Sequence, residues 1–215
     1  MAAFDLVAFD LYGTLLDISG LAARMRPLLS ETEDSAALLA RWRKAQLERS
    51  WRLNREGRYE PWDQVTAGAL EEVGPRLSAE ARAALADLWR TVPAFDDAAQ
   101  TLDALKSCGV RRAILSNGTR AMIAQALGAS GLGVDRIFSA DEVHAYKTDP
   151  RVYALLDAEA APNRTLFVSS NGWDVDGARR SGRTVLWINR GGEPPETAPE
   201  HQAKALWDVV RLCQI

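Results

Sequence analysis

Five short apolar runs constrain this fold more than any other feature of the sequence. The runs lie at residues 6–9, 113–115, 137–139, 165–168 and 185–188. Segments with helical spacing lie near residues 98–107, 122–127, 152–160 and 175–181, so strand-like and helix-like segments alternate. Consecutive apolar residues are typical of strands buried on both faces, and this alternation is typical of a parallel sheet. We therefore predict an α/β fold built on a parallel sheet.

A helical segment over residues 18–91 interrupts this alternation. Its apolar residues recur at spacings of three and four, as in Leu38, Leu39, Trp42, Leu47 and Trp51. Residues 57–62 break the helical pattern, and Ser78 is the predicted N-cap of a later helix. Because no strand is predicted here, we interpret the segment as a helical insertion. Near the end of the chain, a Pro- and Gly-rich loop over residues 191–199 precedes a last predicted helix through Ala205, Leu206, Val209 and Leu212.

The composition is that of an ordinary globular protein and indicates a small-molecule partner. The chain has 215 residues, of which 47% are hydrophobic and 26% are charged, and its net charge is -3. This charge predicts no nucleic-acid partner and no binding to an anionic membrane. No apolar run reaches the ~18 residues of a membrane span, and the N-terminus lacks the basic region of a signal peptide. We therefore expect a cytoplasmic enzyme.

Cysteine and histidine offer few candidates for metal or nucleophile chemistry. Cys108 and Cys213 have no metal-ligand spacing, so we expect free thiols in a reducing compartment. His144 and His201 are equally isolated in the sequence. A histidine-based triad or a zinc site would therefore lack partners.

Asp10 directly follows the first apolar run, which places it at the carboxyl end of a predicted strand. Ligands of open α/β sheets bind outside these strand ends, so Asp10 is a candidate nucleophile. Gly13 permits a tight turn whose N–H groups can bind an anion, and Thr14 adds a hydroxyl beside the acid. The alternative interpretation is a helix cap, a role that aspartate often has without reacting.

Two further predicted strands end in polar clusters. One cluster is Ser116 with Asn117, and the other is Ser169, Ser170 and Asn171, followed by Asp174. Each cluster alone is explained as well by helix capping, but three clusters at one edge of a parallel sheet favour a site. Lys147 adds a cation that would keep a nearby Asp10 ionised, unless it is a solvated surface lysine.

Together these segments resemble the haloacid dehalogenase superfamily, and within it the L-2-haloacid dehalogenases of the metal-independent hydrolytic type. The resemblance covers nearly the whole chain. Its motifs are residues 10–14, Trp42 and Arg43 with residues 46–48 and 50–51, residues 116–118, Lys147 with Tyr153, and residues 169–174. The resemblance implies a Rossmann-like core of residues 1–16 and 92–215. Residues 17–91 would be inserted as a helical cap domain over the active site.

The resemblance also implies a reaction. Asp10 would attack C2 of a short L-2-haloalkanoate from the side opposite the halide and form an ester. Water would then attack the ester carbonyl of Asp10, so the product would be a D-2-hydroxy acid. Neither a cofactor nor a metal is expected. The partners would be the 2-haloacid substrate and its halide ion, and a homodimer is left open as the assembly.

The resemblance implies two groups of site residues. The catalytic group is Asp10, Thr14, Lys147, Tyr153, Ser169, Asn171 and Asp174. The substrate-binding group is Leu11, Tyr12, Arg43, Trp62, Ser116, Asn117 and Trp173.

Each residue of the two groups has an expected task. Ser116 and the backbone N–H groups of Leu11 and Tyr12 would hold the substrate carboxylate. Arg43 and Asn117 would hold the halide, with Trp62 packed around it. Thr14 and Ser169 would orient Asp10 by hydrogen bonds, and Lys147, restrained by Tyr153, would position it electrostatically. Asn171 and Asp174 would place and activate the hydrolytic water.

The chain departs from this pattern at two positions. Relatives often have a proline directly after the lysine, whereas this chain has Thr148, which removes one backbone restraint. Trp62 stands where relatives commonly have phenylalanine. A larger ring with an N–H donor narrows the pocket and can solvate a small halide, so the preference among halides is left open.

A Mg²⁺-dependent phosphatase of the same superfamily is the alternative enzyme. Such phosphatases usually carry a second aspartate two residues after the nucleophile, where this chain has Tyr12, whose phenol is a much weaker acid. Asp174 and Asp176 are retained as candidate Mg²⁺ ligands. The second alternative is a binding module that keeps the fold without turnover.

Overall fold

The computed structural model describes residues 3–194 and 199–214, and its centre is a six-stranded parallel sheet. The strands are β1 (Leu6–Phe9), β2 (Arg111–Ser116), β3 (Arg136–Ser139), β4 (Thr165–Ser169), β5 (Thr184–Ile188) and β6 (His201–Ala203). Their order is β3-β2-β1-β4-β5-β6, and each neighbouring pair is parallel. The strand order reverses between β1 and β4, which is the point where open α/β sheets bind ligands. The predicted α/β parallel-sheet fold is confirmed.

Both faces of the sheet are buried, as the apolar runs predict. On β1, Val7 and Phe9 belong to the core of one face, and Leu6 and Ala8 belong to the core of the other. This separation follows from the two-residue period of a strand, whose side chains alternate between the faces. The side chains on both faces of β1 are thus packed in hydrophobic cores.

Five helices follow the strands or lead into them. They are α5 (Ala98–Ser107), α6 (Arg120–Ser130), α7 (Pro150–Ala154), α8 (Gly172–Arg180) and α9 (Trp207–Cys213). The predicted helix at residues 152–160 is shorter than expected, because α7 ends at Ala154 and continues as a 3₁₀ turn, Leu155–Ala158.

The end of the chain differs from the prediction. His201–Ala203 forms the edge strand β6, which was not predicted, and the last helix begins at Trp207 rather than near Ala205. β6 has three residues, of which none is fully buried, and it pairs only with β5. A strand this short and polar contains no apolar run, so the sequence pattern did not predict it. The predicted loop at residues 191–199 lies partly outside the described residues, which omit 195–198.

Between β1 and α5 the chain forms four helices, and no strand is found among the described residues of this segment. The helices are α1 (Leu21–Met25), α2 (Ser35–Arg55), α3 (Trp62–Val73) and α4 (Ala79–Asp87), and a 3₁₀ turn, Leu88–Thr91, ends the segment. Ser78 caps α4 as predicted, since its hydroxyl accepts a hydrogen bond from the Ala81 N–H at 3.2 Å. The division into a core domain of residues 1–16 and 92–215 and a cap domain of residues 17–91 stays a prediction.

The inserted helices share a hydrophobic core with one face of the sheet. This core joins Phe9 of β1 to Trp42 of α2, Leu70 of α3 and Trp89 of the 3₁₀ turn. Trp42 packs edge-on against Trp89 with ring centroids 5.6 Å apart, and its indole N–H donates to the Thr66 carbonyl at 2.8 Å. These contacts hold α2 and α3 beside the strand ends. Among the described residues, no helix combines the length and the apolarity that crossing a membrane requires.

Candidate active site

Asp10 lies directly after β1 and is only 7% exposed. Its Oδ2 atom accepts hydrogen bonds from Thr14 Oγ1 at 3.1 Å and from Asn171 Nδ2 at 3.0 Å, and its Oδ1 atom accepts one from Lys147 Nζ at 2.9 Å. The turn that follows needs Gly13, whose φ of +89° is rarely adopted by other residues. Three donors from three parts of the chain therefore fix one buried carboxylate.

Lys147 connects Asp10 to a second buried carboxylate. Its side chain is 1% exposed, and Nζ also donates to Asp174 Oδ2 at 2.8 Å. Burial by itself lowers the pKa of Lys147, but the adjacent carboxylates of Asp10 and Asp174 outweigh burial and raise the pKa above its usual value. Lys147 is therefore an ammonium ion, and it is the positive charge between two carboxylates rather than a solvated surface lysine.

Asp174 is completely buried at the start of α8. Burial raises its pKa, and the Lys147 ammonium opposes that rise. The other carboxylate oxygen accepts a hydrogen bond from the Tyr153 hydroxyl at 2.7 Å. Burial and the charge of Asp174 raise the pKa of Tyr153, so its phenol stays protonated and donates. Tyr153 thus contacts Asp174 and not Lys147, and its expected restraint on Lys147 passes through the Asp174 carboxylate.

Ser169 has a different contact from the one expected. Its hydroxyl oxygen accepts a hydrogen bond from the Asn171 N–H at 3.1 Å and makes no hydrogen bond to Asp10. Orientation of Asp10 therefore comes from Thr14 and Asn171, while Ser169 holds the backbone of Asn171. Ser170, which the site prediction omitted, donates its N–H to Thr14 Oγ1 at 2.9 Å. The only sequence signal for Ser170 was its position in the Ser-Ser-Asn run.

A small cavity of about 30 Å³ opens beside Asp10. Nine predicted site residues line it: Asp10, Tyr12, Arg43, Trp62, Ser116, Asn117, Lys147, Asn171 and Trp173. Leu47, Trp89, Gly118 and Met122 also line it and were not predicted as site residues. The other five predicted residues, which are Leu11, Thr14, Tyr153, Ser169 and Asp174, do not line the cavity. Its size suits a ligand of a few non-hydrogen atoms.

Arg43 extends from α2 to the cavity, and its guanidinium is the main cation available there to a ligand. Within the described residues its guanidinium has no hydrogen bond and no ion pair, and it lies over the Trp89 ring at 5.3 Å. Burial lowers the pKa of Arg43, but an arginine keeps its proton in proteins. An unpaired, half-buried guanidinium attracts an anion, because it has lost water without gaining a carboxylate partner.

Trp89 supports Arg43 and was not predicted as a site residue. The Tyr12 hydroxyl donates to the Trp89 carbonyl at 3.0 Å, and the two rings pack edge-on at 5.7 Å. Trp89 lies in the short 3₁₀ turn that ends the insertion, where no motif marks it. Trp89 contacts Tyr12 and Arg43, which lie more than 40 positions away in the chain, so no local sequence pattern identifies it as a site residue.

Several hydrogen-bond donors without protein acceptors line the cavity or, in the case of Leu11, directly precede a residue that lines it. Among the described residues, the backbone N–H groups of Leu11 and Tyr12 donate to no protein atom. Asn117 Oδ1 accepts the Lys147 N–H at 2.8 Å, which leaves the Asn117 amide N–H groups for a ligand. Ser116 Oγ accepts the Gly118 N–H at 3.2 Å and keeps its own proton to donate. These donors and Arg43 suit a small anion placed against the Asp10 carboxylate.

Metal ligands are scarce in the same region. Across residues 3–194 and 199–214, no three side chains of His, Cys, Asp or Glu are grouped closely enough to bind a metal ion. The two carboxylates that approach each other here share the Lys147 ammonium.

Comparison with known proteins gives consistent results. A family model described as haloacid dehalogenase-like hydrolase matches residues 4–182. (S)-2-haloacid dehalogenase 4A of Burkholderia cepacia is 39% identical, with 94% of this chain and 91% of the relative covered. (S)-2-haloacid dehalogenase 1 of Pseudomonas sp. strain CBS-3 is also 39% identical, with 95% and 94% covered. The structure of L-2-haloacid dehalogenase from Xanthobacter autotrophicus with chloropropionic acid covalently bound is 31% identical, with a TM-score of 0.88 and 98% of each chain covered.

Proposed function

The chain belongs to the haloacid dehalogenase-like hydrolases, and from this membership we propose that it is an (S)-2-haloacid dehalogenase. It converts short L-2-haloalkanoic acids and water into D-2-hydroxy acids and halide ions. One observation carries the proposal: the Asp10 carboxylate, held by Lys147, faces a cavity that also contains the unpaired guanidinium of Arg43. A nucleophile and an anion-binding group therefore line one space for a small molecule.

In the first step, an Asp10 oxygen attacks C2 of the substrate as the carbon–halogen bond breaks. The halide leaves with the bonding electron pair, and C2 is inverted and joined to Asp10 as an ester. Arg43 and the Asn117 amide receive the halide, with Trp62 as the adjacent wall. Ser116 and the N–H groups of residues 11 and 12 bind the substrate carboxylate. These donors stabilise charge that moves from the nucleophile to the halide.

In the second step, water attacks the carbonyl carbon of the Asp10 ester. Asn171 is beside this carbon through its hydrogen bond to Asp10 Oδ2, so it places the water, and Asp174 takes its proton. The bond between the Asp10 carbonyl and the product oxygen breaks, and that oxygen gains the proton to become the hydroxyl. Burial makes the Asp174 carboxylate a stronger base than an exposed aspartate, which suits this role. The Asp10 carboxylate is restored with one oxygen from water.

The proposed reaction uses no metal, because the substrate carries little charge that a metal ion would have to neutralise. A phosphoryl group needs its charge neutralised, whereas a 2-haloalkanoate has one negative charge and loses a weakly basic halide. Lys147 supplies the positive charge beside Asp10.

We further infer that the enzyme acts in the cytoplasm, with no nucleic-acid partner, and that a homodimer is the assembly to test by light scattering.

Halide release from L- and D-2-chloropropionate, with and without excess chelator, tests this function. We expect release from the L enantiomer only, at equal rates in both conditions. Activity that chelator abolishes and Mg²⁺ restores, together with hydrolysis of a phosphate ester, would establish the phosphatase instead. No turnover of either substrate class would support the binding module.

A single turnover in ¹⁸O-water tests the ester. We expect the label to appear in the Asp10 carboxylate, as read by mass spectrometry of the peptide that contains it. Label in the hydroxy acid after the first turnover, with none in Asp10, would mean direct attack of water on C2.

A further inference from the structure

Asn54 forms two hydrogen bonds with the backbone of Tyr146, the residue that precedes Lys147. It lies in the last turn of α2, 92 positions before Tyr146 in the chain. Its Nδ2 donates to the Tyr146 carbonyl at 2.9 Å, and its Oδ1 accepts the Tyr146 N–H at 3.0 Å. One side-chain amide thus satisfies both backbone groups of Tyr146, which restrains the main chain on each side of its Cα atom.

The peptide group that joins Tyr146 to Lys147 is also held from the other side. The Lys147 N–H donates to Asn117 Oδ1 at 2.8 Å, and Asn117 directly follows β2 of the sheet. Residues 146–147 are therefore fixed by two asparagines, one from the inserted helices and one from the strand edge. The side chain of Lys147 extends from this restrained backbone, and its Nζ donates hydrogen bonds to both Asp10 and Asp174.

Other hydrogen bonds from the insertion reach side chains in this part of the chain. The Tyr59 hydroxyl donates to Asp141 Oδ1 at 2.7 Å. The Tyr146 hydroxyl donates to the Glu60 carbonyl at 2.6 Å and accepts the Glu60 N–H at 2.9 Å, which anchors the ring of Tyr146. The Asn54 pair differs from these contacts because it bonds to the main chain of Tyr146, directly beside Lys147.

We propose that Asn54 is a positioning residue for Lys147, through which α2 sets the place of the ammonium between Asp10 and Asp174. The inference rests on the proposed function, because it assigns Asn54 to the reaction in which Lys147 positions the nucleophile. Lysine has a long, flexible side chain, so holding its backbone narrows the range of positions that Nζ can adopt between the two carboxylates. A displacement of a catalytic group by about 1 Å can lower a rate about 100-fold.

Asn54→Leu keeps the size of the side chain and removes both hydrogen bonds, and Tyr59→Phe is its matched control. We expect Asn54→Leu to lower kcat about 10- to 100-fold while KM changes less than about twofold, because Lys147 acts on the nucleophile and not on substrate binding. Tyr59→Phe also removes a hydrogen bond between the insertion and the sheet, but we expect its kcat to stay within about twofold of the unmodified enzyme. An equal fall in both variants would show general loosening of the insertion and overturn the proposal.

Amide hydrogen exchange gives a readout that needs no substrate. We expect the Lys147 N–H to exchange faster in Asn54→Leu than in the unmodified protein, and at an unchanged rate in Tyr59→Phe. Asn54→Asp keeps the acceptor for the Tyr146 N–H and loses the donor, so its exchange rate and kcat should be intermediate; it replaces Asn54→Leu if that variant does not fold. Unchanged exchange and unchanged kcat would refute the role of Asn54. If the unmodified protein releases no halide, the proposed function fails, and the exchange rates still decide whether Asn54 positions Lys147.

Discussion

The ammonium of Lys147 lies 2.9 Å from the carboxylate of Asp10, although the two residues are 137 positions apart in the chain. The same Nζ lies 2.8 Å from Asp174, so one cation serves two buried acids. Removing a charge from such a cluster costs more than the loss of a single hydrogen bond, because the remaining charges stay buried without compensation. The stability of this site and the proposed chemistry therefore involve the same side chain.

Lys147→Met should be inactive and less stable. It leaves the Asp10 and Asp174 carboxylates without their shared cation, and the free energy of unfolding should fall by about 3–5 kcal/mol. Halide release and urea unfolding at pH 8 measure the two effects. Lys44→Met is the control, because Lys44 is 75% exposed, and it should change neither quantity. A Lys147→Met variant with normal turnover would remove Lys147 from the mechanism.

The contribution of Lys147 to stability should depend on pH in a defined direction. Its pKa is raised in the folded protein above the ordinary value of 10.5, so the folded state holds the proton more tightly than the unfolded chain does. The contribution is fully present below pH 10.5 and is lost as the pH rises through the folded-state pKa. The difference in unfolding free energy between the unmodified protein and Lys147→Met should thus be smaller at pH 11 than at pH 8. A difference that grew with pH would contradict the assigned charge.

Asp174→Asn should accumulate the ester. The variant retains the nucleophile but lacks the base for water, so hydrolysis should slow by about 10²- to 10⁴-fold. Intact-protein mass spectrometry after acid quench detects the added mass on Asp10. Asp176→Asn, two positions along the same helix, should behave like the unmodified enzyme. Loss of activity in Asp176→Asn would instead favour the Mg²⁺ phosphatase, in which Asp176 is a candidate ligand.

Arg43→Gln should lower kcat/KM by about 10²- to 10³-fold, because the leaving halide loses the main cation of the cavity. Steady-state halide release from L-2-chloropropionate measures this change. Arg41→Gln, on the same helix but 51% exposed in its side chain, should have little effect. Comparable losses in both variants would mean that the charge of α2, and not the position of Arg43, supports activity.

Trp62→Phe should shift the halide preference toward larger halides. The smaller ring widens a cavity of about 30 Å³ and removes an N–H donor that can solvate a small halide. The ratio of kcat/KM for L-2-bromopropionate to that for L-2-chloropropionate should rise about tenfold. Trp51→Phe is the control, since Trp51 does not line the cavity. An unchanged ratio would show that Trp62 does not contact the halide.

The parallel sheet, the inserted helical segment and the polar residues at the strand ends were predictable from the amino-acid sequence alone. These features are local in origin: an apolar run such as residues 6–9 makes a buried strand, and the polar residue that follows it must lie at the strand end. Because parallel strands end at one edge, Asp10, Ser116 and Asn171 were predicted to converge, and they line one cavity. Arg43 was predicted through the family motif around it.

Which distant residues form hydrogen bonds with one another depends on the packing of the whole chain. Tyr153 bonds to the Asp174 carboxylate, and Asn54 bonds to the backbone of Tyr146, 92 positions away. Such partners are brought together by packing, and they depend on distances of a few ångströms that no spacing in the chain encodes. The edge strand β6 was missed for a related reason. It is held by pairing with β5 rather than by an apolar run of its own, so its structure follows from its neighbour.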